Sequence, residues 1–158
     1  MKITVVCIGK LSLNFLHTGA DEYSSRIKRY AALKIVELKE EKGGPKSGAG
    51  AHIRERESQR LLERIPPGAR CIVLDEKGKQ QGSVEFAATL ERRILHGDNE
   101  WCFVIGGAYG VSDTLRRRAD SVLSLSRMTW THQMARMLLL EQLYRAFTIM
   151  RREPYHNR

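Results

Sequence analysis

Five short apolar runs rich in β-branched residues alternate along the chain with segments of helical period, and this alternation limits what the chain can fold into. The runs cover residues 3–8, 33–38, 71–74, 101–105 and 122–125. Residues 15–30, 53–65 and 84–95 carry the helical spacing, followed by a short turn near 113–119 and a long final helix over 132–150. Strands that alternate with helices read as an α/β domain with a mainly parallel sheet, because parallel neighbours need crossover segments of about a dozen residues. At 158 residues there is room for one core, so a single domain over 1–158 is expected.

The charge balance favours a polyanionic partner. Lys and Arg number 27 against 18 Asp and Glu, a formal net charge of +9. The surplus travels with the last third of the chain: every basic residue after position 100 is arginine, among them Arg116, Arg117, Arg118, Arg151 and Arg152, the candidates for phosphate contact. Cys7, Cys71 and Cys102 lie far apart inside apolar runs and read as buried thiols in a reducing cytosol, with neither a disulfide framework nor a metal site. No run approaches the roughly 20 apolar residues of a membrane span, and the expected location is cytoplasmic.

The usual dinucleotide turn is missing. The first strand ends in Ile8-Gly9-Lys10-Leu11-Ser12, one glycine where the G-x-G-x-x-G cradle needs three. A different glycine turn, Gly106-Gly107-Ala108-Tyr109-Gly110, follows the 101–105 run and brings main chain within reach of a ligand, since no Cβ stands in the way. Next comes Ser124-Leu125-Ser126-Arg127-Met128-Thr129-Trp130-Thr131-His132, in which Thr129 or Thr131 can cap the last helix. His132 and Arg136 are spaced i, i+4 on that helix. Pro154-Tyr155-His156 closes the chain with an aromatic ring and an imidazole among arginines, a composition suited to a nucleobase held near phosphates. The polar loop 40–50, with its lysines and glycines, reads as a lid or a disordered connection.

The run Phe103-Val104-Ile105 with its glycine turn to Gly110, the block Ser124-Leu125-Ser126-Arg127-Met128-Thr129, Thr131-His132-Gln133-Met134-Ala135-Arg136, Glu141-Gln142-Leu143-Tyr144-Arg145-Ala146 and the Pro154-Tyr155-His156 tail occur in order over the full length, and together they closely resemble the RlmH family. That resemblance implies a small SPOUT-class methyltransferase with a deep C-terminal trefoil knot, a feature that periodicity alone does not reveal, because threaded chains are rare. It further implies a cofactor-binding knot region over about 71–150 and a substrate-facing tail over 151–158. Leu74, Gly106, Leu125, Ser126, Arg127, Met128, Thr129 and Trp130 would wrap S-adenosylmethionine.

The implied reaction moves a methyl group to N3 of a pseudouridine in 23S rRNA within the assembled ribosome, by a homodimer and without metal. N3 must lose a proton, and His132 and His156 are the candidates for handling it. The working assignment gives the proton to His156, leaves His132 and Arg136 to position the nucleotide, and has Tyr155 stack on the base. Two alternatives remain at this point: a non-catalytic RNA-binding or ribosome-assembly factor, and a methyltransferase of the related tRNA-modifying branch.

Overall fold

The five apolar runs pair into one parallel sheet in the computed structural model, which describes residues 1–43 and 48–157. The strands are β1 (Lys2–Ile8), β2 (Ala32–Leu38), β3 (Arg70–Gln80), β4 (Glu100–Ile105) and β5 (Ser121–Ser124), in the order β2-β1-β4-β3-β5. All four neighbouring pairs are parallel. The helices are α1 (Asn14–Ile27), α2 (Gly50–Leu62), α3 (Ser83–Leu95), α4 (Asp113–Arg118) and α5 (His132–Met150).

Strand side chains alternate between two faces, and both faces are covered. On one side Ile3, Val5, Ile72, Phe103 and Ile105 pack beneath α1, α3 and α5; on the other Val6, Ile8, Val73, Cys102 and Val104 pack beneath α2 and α4. Central β4 is therefore buried from Trp101 to Ile105, which explains why its sequence is a continuous apolar run. Helix α5 contributes Leu139, Leu140, Leu143, Ala146 and Phe147 to the core, a stripe at i, i+1, i+4, i+7 and i+8. Each fully buried leucine stabilises the fold by about 1.5–3 kcal/mol. The three cysteines are buried and unpaired, and burial raises the Cys71 thiol to about 11 and the Cys102 thiol to about 12.

The main departure from the sequence expectation is β3, which continues well past Leu74. Its register with β5 shifts between Leu74 and Lys79, and Lys79 and Gln80 then pair with Leu123 and Ser124. Polar Asp75-Glu76-Lys77 hides this continuation from an apolar-run criterion. Gly78 permits it: a Cβ there would lie 2.7 Å from main-chain atoms of Val122 and Leu123. Other limits differ by small amounts, with α1 ending at Ile27 and β5 beginning at Ser121. The proposed lid 40–50 falls partly outside the described residues, at positions 44–47, as does Arg158 at the tail.

Candidate cofactor and substrate site

The carboxyl ends of β3, β4 and β5 open onto a cavity of about 410 Å³, within the ~300–1,000 Å³ range of small-molecule sites. Three exits wall it. After β4, Gly107 and Gly110 bridge to each other and Gly110 N–H donates to Gly107 O at 3.0 Å, folding 106–110 into a tight turn. After β5, Ser124 Oγ donates to Ser126 O at 2.8 Å and Met128 N–H donates to Ser126 Oγ at 2.9 Å, so the segment curls back on itself before α5. From β3, Glu76 accepts a hydrogen bond from Thr129 Oγ1 at 2.8 Å, tying two of the walls together. Thr131, not Thr129, caps α5 by accepting from Met134 N–H at 3.2 Å. A second cavity of about 300 Å³ shares Leu123, Ser124, Leu125 and Trp130 with the first.

Leu74, Gly106, Leu125, Ser126, Met128, Thr129 and Trp130 all line the larger cavity, while Arg127 points away from its lining and is exposed. His132 lines it too. The other anticipated residues lie elsewhere. Arg136 is outside the lining; its side chain is 3% exposed and donates to Glu37 Oε1 at 2.6 Å and to Cys7 Sγ at 3.1 Å. The tail packs on the far part of α5: Tyr155 OH donates to Glu141 Oε1 at 3.0 Å, its ring sits 4.7 Å from the Arg145 guanidinium, and Arg145 faces His156 Nδ1 at 3.3 Å. Arg145 is 13 residues from His132, roughly 20 Å along a helix rising about 1.5 Å per residue. Within one chain, then, His132 and His156 do not meet. Of the arginines considered for phosphate, Arg116 is held by Asp75 and Asp113, each at 2.7 Å, whereas Arg117, Arg118, Arg151 and Arg152 are exposed.

Residues 1–156 match the family described as predicted SPOUT methyltransferase. The chain belongs to the SPOUT methyltransferases. It is 51% identical over 158 residues to the ribosomal RNA large subunit methyltransferase H of Syntrophotalea carbinolica, covering all of both chains. With the protein of the same name from Geobacter sulfurreducens it shares 50% over 157 residues, 99% of this chain and all of that one. Two solved structures show the same fold at low identity. A probable methylase family protein from Haemophilus influenzae Rd KW20 aligns at TM-score 0.56 and 10% identity over 99% of this chain and 70% of that one. A probable methyltransferase from Bordetella pertussis Tohama I aligns at TM-score 0.54 and 12% identity over 92% and 95%.

SPOUT methyltransferases take their methyl group from S-adenosylmethionine, and the cavity fits that donor in kind. Leu74, Ile105, Leu125, Met128 and Trp130 give apolar walls for a purine, and the glycine turn offers bare main chain. Asp75 and Glu76 bring carboxylates to the lining, beside Arg54, Lys77 and Arg116, the last paired with Asp75 at 2.7 Å. These carboxylates escaped the sequence reading because they follow what looks like a strand end. Their signal was present as an acidic pair at a strand exit.

Beneath the glycine turn lies a further acid that the sequence did not single out. Glu57 of α2 is 3% exposed, accepts from Glu41 N–H at 2.9 Å, and presses its other oxygen against Gly107, where a Cβ would come within 2.4 Å. Burial raises its pKa above the usual carboxylate value, and hydrogen bonding by Glu41 N–H opposes this. A carboxyl with a raised folded-state pKa binds more protons folded than unfolded, so it costs stability as pH rises from the unfolded value through the folded one. Glu57→Gln is accordingly expected to melt above the parent at pH 8, with the two curves converging below the ordinary carboxylate pKa of 4.5. Thermal melts across pH check this.

Proposed function

We propose that this SPOUT enzyme methylates N3 of a pseudouridine in 23S rRNA on the assembled ribosome, acting as a homodimer with a knotted cofactor region. The observation that carries the reading is the convergence of Leu74, Gly106, Leu125, Ser126, Met128, Thr129 and Trp130 on one cavity with a histidine at its edge. Full-length relatives named for the large ribosomal subunit support the substrate class. When bound, S-adenosylmethionine supplies an electrophilic methyl whose carbon–sulfur bonding pair returns to sulfur. Leu74, Leu125, Met128 and Trp130 would hold the adenosine part, with main chain of the 106–110 turn reading its polar edge.

Positioning carries much of such a transfer, since nucleophile, methyl and sulfur must lie in line. The tail is the natural second half of the site. In this reading Tyr155 stacks on the base and His156 reaches it from the partner subunit, because its own cavity is too far along α5. Exposed Met128 and Trp130, 72% and 41% accessible, present an apolar surface toward that junction. Exposed Arg117, Arg118, Arg151 and Arg152 supply phosphate contacts.

Methyl incorporation into free tRNA, free rRNA, separate subunits and whole ribosomes tests the substrate. Label appearing in 23S rRNA of ribosomes is the expected result; label in tRNA, or none at all, would refute it. The shared site is tested by mixing. His132→Ala and His156→Ala proteins, each inactive alone, are expected to regain part of the activity once subunits exchange. A monomer in light scattering at micromolar concentration would remove this part of the reading.

A further inference from the structure

We infer that Glu40 is a positioning residue that turns His132 into the proton acceptor of this site, an inference that rests on the methyl-transfer reading above. His132 opens α5 at the edge of the cavity with its side chain 16% exposed. Its Nε2 is sealed from solvent, lies 3.1 Å from Glu40 Oε1, and is aligned too poorly for a full hydrogen bond with any of the described residues. Contacts of this kind are often loose before substrate arrives and tighten in the reacting complex.

The surroundings are built for that contact. Gly9, at φ +82°, has no side chain where a Cβ would come 2.6 Å from Glu40 Oε1 and 2.8 Å from His132 Nε2. The chain on either side of Glu40 is fastened to α2. Arg60 donates to Lys39 O at 2.5 Å, Glu41 N–H donates to Glu57 Oε1 at 2.9 Å, and the Glu41 carboxylate lies 3.4 Å from Arg60. The carboxylates that line the cavity are engaged, Asp75 by Arg116 and Glu76 by the Thr129 hydroxyl, whereas Glu40 stands outside the lining with its side chain 57% exposed.

A neutral imidazole carries one N–H, and a carboxylate beside Nε2 draws it there. Nδ1 is then left with a lone pair, and a proton taken up at Nδ1 makes an imidazolium that Glu40 stabilises. The proton on N3 passes to Nδ1, its bonding pair stays on N3 for the new N–C bond, and the imidazolium returns the proton to water. His156 has the opposite setting. Arg145 can only donate, so Nδ1 is already taken up as an acceptor and Nε2 holds the hydrogen, which leaves neither ring nitrogen free to take a proton. This reverses the working assignment of the two histidines.

Nitrogen-15 NMR of histidine-labelled protein, beside steady-state methylation of ribosomes, tests the inference. In the parent, neutral His132 is expected as the Nε2–H tautomer. In Glu40→Ala it becomes a mixture of the two tautomers, kcat falls on the order of 10- to 100-fold, and KM for S-adenosylmethionine stays within about twofold, its expected range for a group that acts on the proton and not on donor binding. Glu40→Gln keeps an acceptor without the charge, and an intermediate loss is expected. An unchanged tautomer and kcat in Glu40→Ala would overturn the role of Glu40. If the parent transfers no methyl to ribosomes, the methyl-transfer reading falls instead, and the NMR spectra still report on the pair.

Discussion

Gly106→Ala is expected to cut the affinity for S-adenosylmethionine by roughly 10- to 100-fold. A Cβ at this position would lie 2.7 Å from Gly110 O, 2.7 Å from Val111 Cγ1 and 2.9 Å from Gly110 C. Two of those three atoms are main chain and cannot swing aside, so the turn over 106–110 must open. Overpacking of this kind costs about 1–3 kcal/mol; a turn that relieves it by opening must take the strain up again to hold the donor, and each 1.4 kcal/mol is about tenfold in a binding constant. The φ of Gly106 is not in the left-handed region, so the effect comes from space and not from backbone strain. Gly19→Ala is the control. Its Cβ would meet Met137 Cγ at an ordinary 3.4 Å, and exchanging a mid-helix glycine for alanine gains roughly 0.5–1 kcal/mol. Calorimetry should therefore find a weakened donor with Gly106→Ala and unchanged affinity with Gly19→Ala. Equal affinities in the two variants would mean that the donor does not lie against this turn.

The layered fold was legible because burial leaves a plain record in the letters. A strand covered on both faces must be apolar throughout, and 101–105 is. The stripe on α5 likewise repeats at helical spacing. The end of β3 was not legible, since Asp75, Glu76 and Lys77 are polar and fall in the register shift, and the pairing resumes at Lys79 with Leu123, 44 residues away. Only the close approach at Gly78 marks the continuation, and a lone glycine in a polar stretch reads equally well as a turn. For the site, the glycine turn 106–110 and the segment 124–132 stood out in the sequence because each is a local feature, whereas Leu74 came only from the resemblance. Glu40 and Glu57 did not stand out. Their role depends on how Glu40 lies against Gly9 and α2 against Gly107, which is a tertiary fact. Arg136 shows the reverse error: its i, i+4 spacing from His132 is real, yet the helix turns its side chain toward β1 and β2 and away from the cavity.

That placement gives Arg136 a different duty, and Glu37→Ala exposes it. The guanidinium is buried with two described partners, the Glu37 carboxylate and the Cys7 thiol. Burial keeps that thiol protonated by raising its pKa, against the opposing pull of Arg136, so Cys7 cannot replace the lost negative charge. Removing Glu37 thus strands a cation between α5 and the sheet. Breaking a buried pair by deleting one partner costs about 3–5 kcal/mol. Glu37 is itself 36% exposed, which lets water reach the vacated place and brings the expected loss to about 2–3 kcal/mol. For a chain of this size that is a fall in Tm of roughly 5–10 °C. Adding Arg136→Met removes the stranded charge while filling its volume, and the double variant should recover most of the loss. Were Arg136 instead a ligand for phosphate or for the imide anion, Glu37→Ala would leave Tm in place and change only methylation. The two outcomes separate a structural ion pair from a substrate contact, because stability is read without RNA.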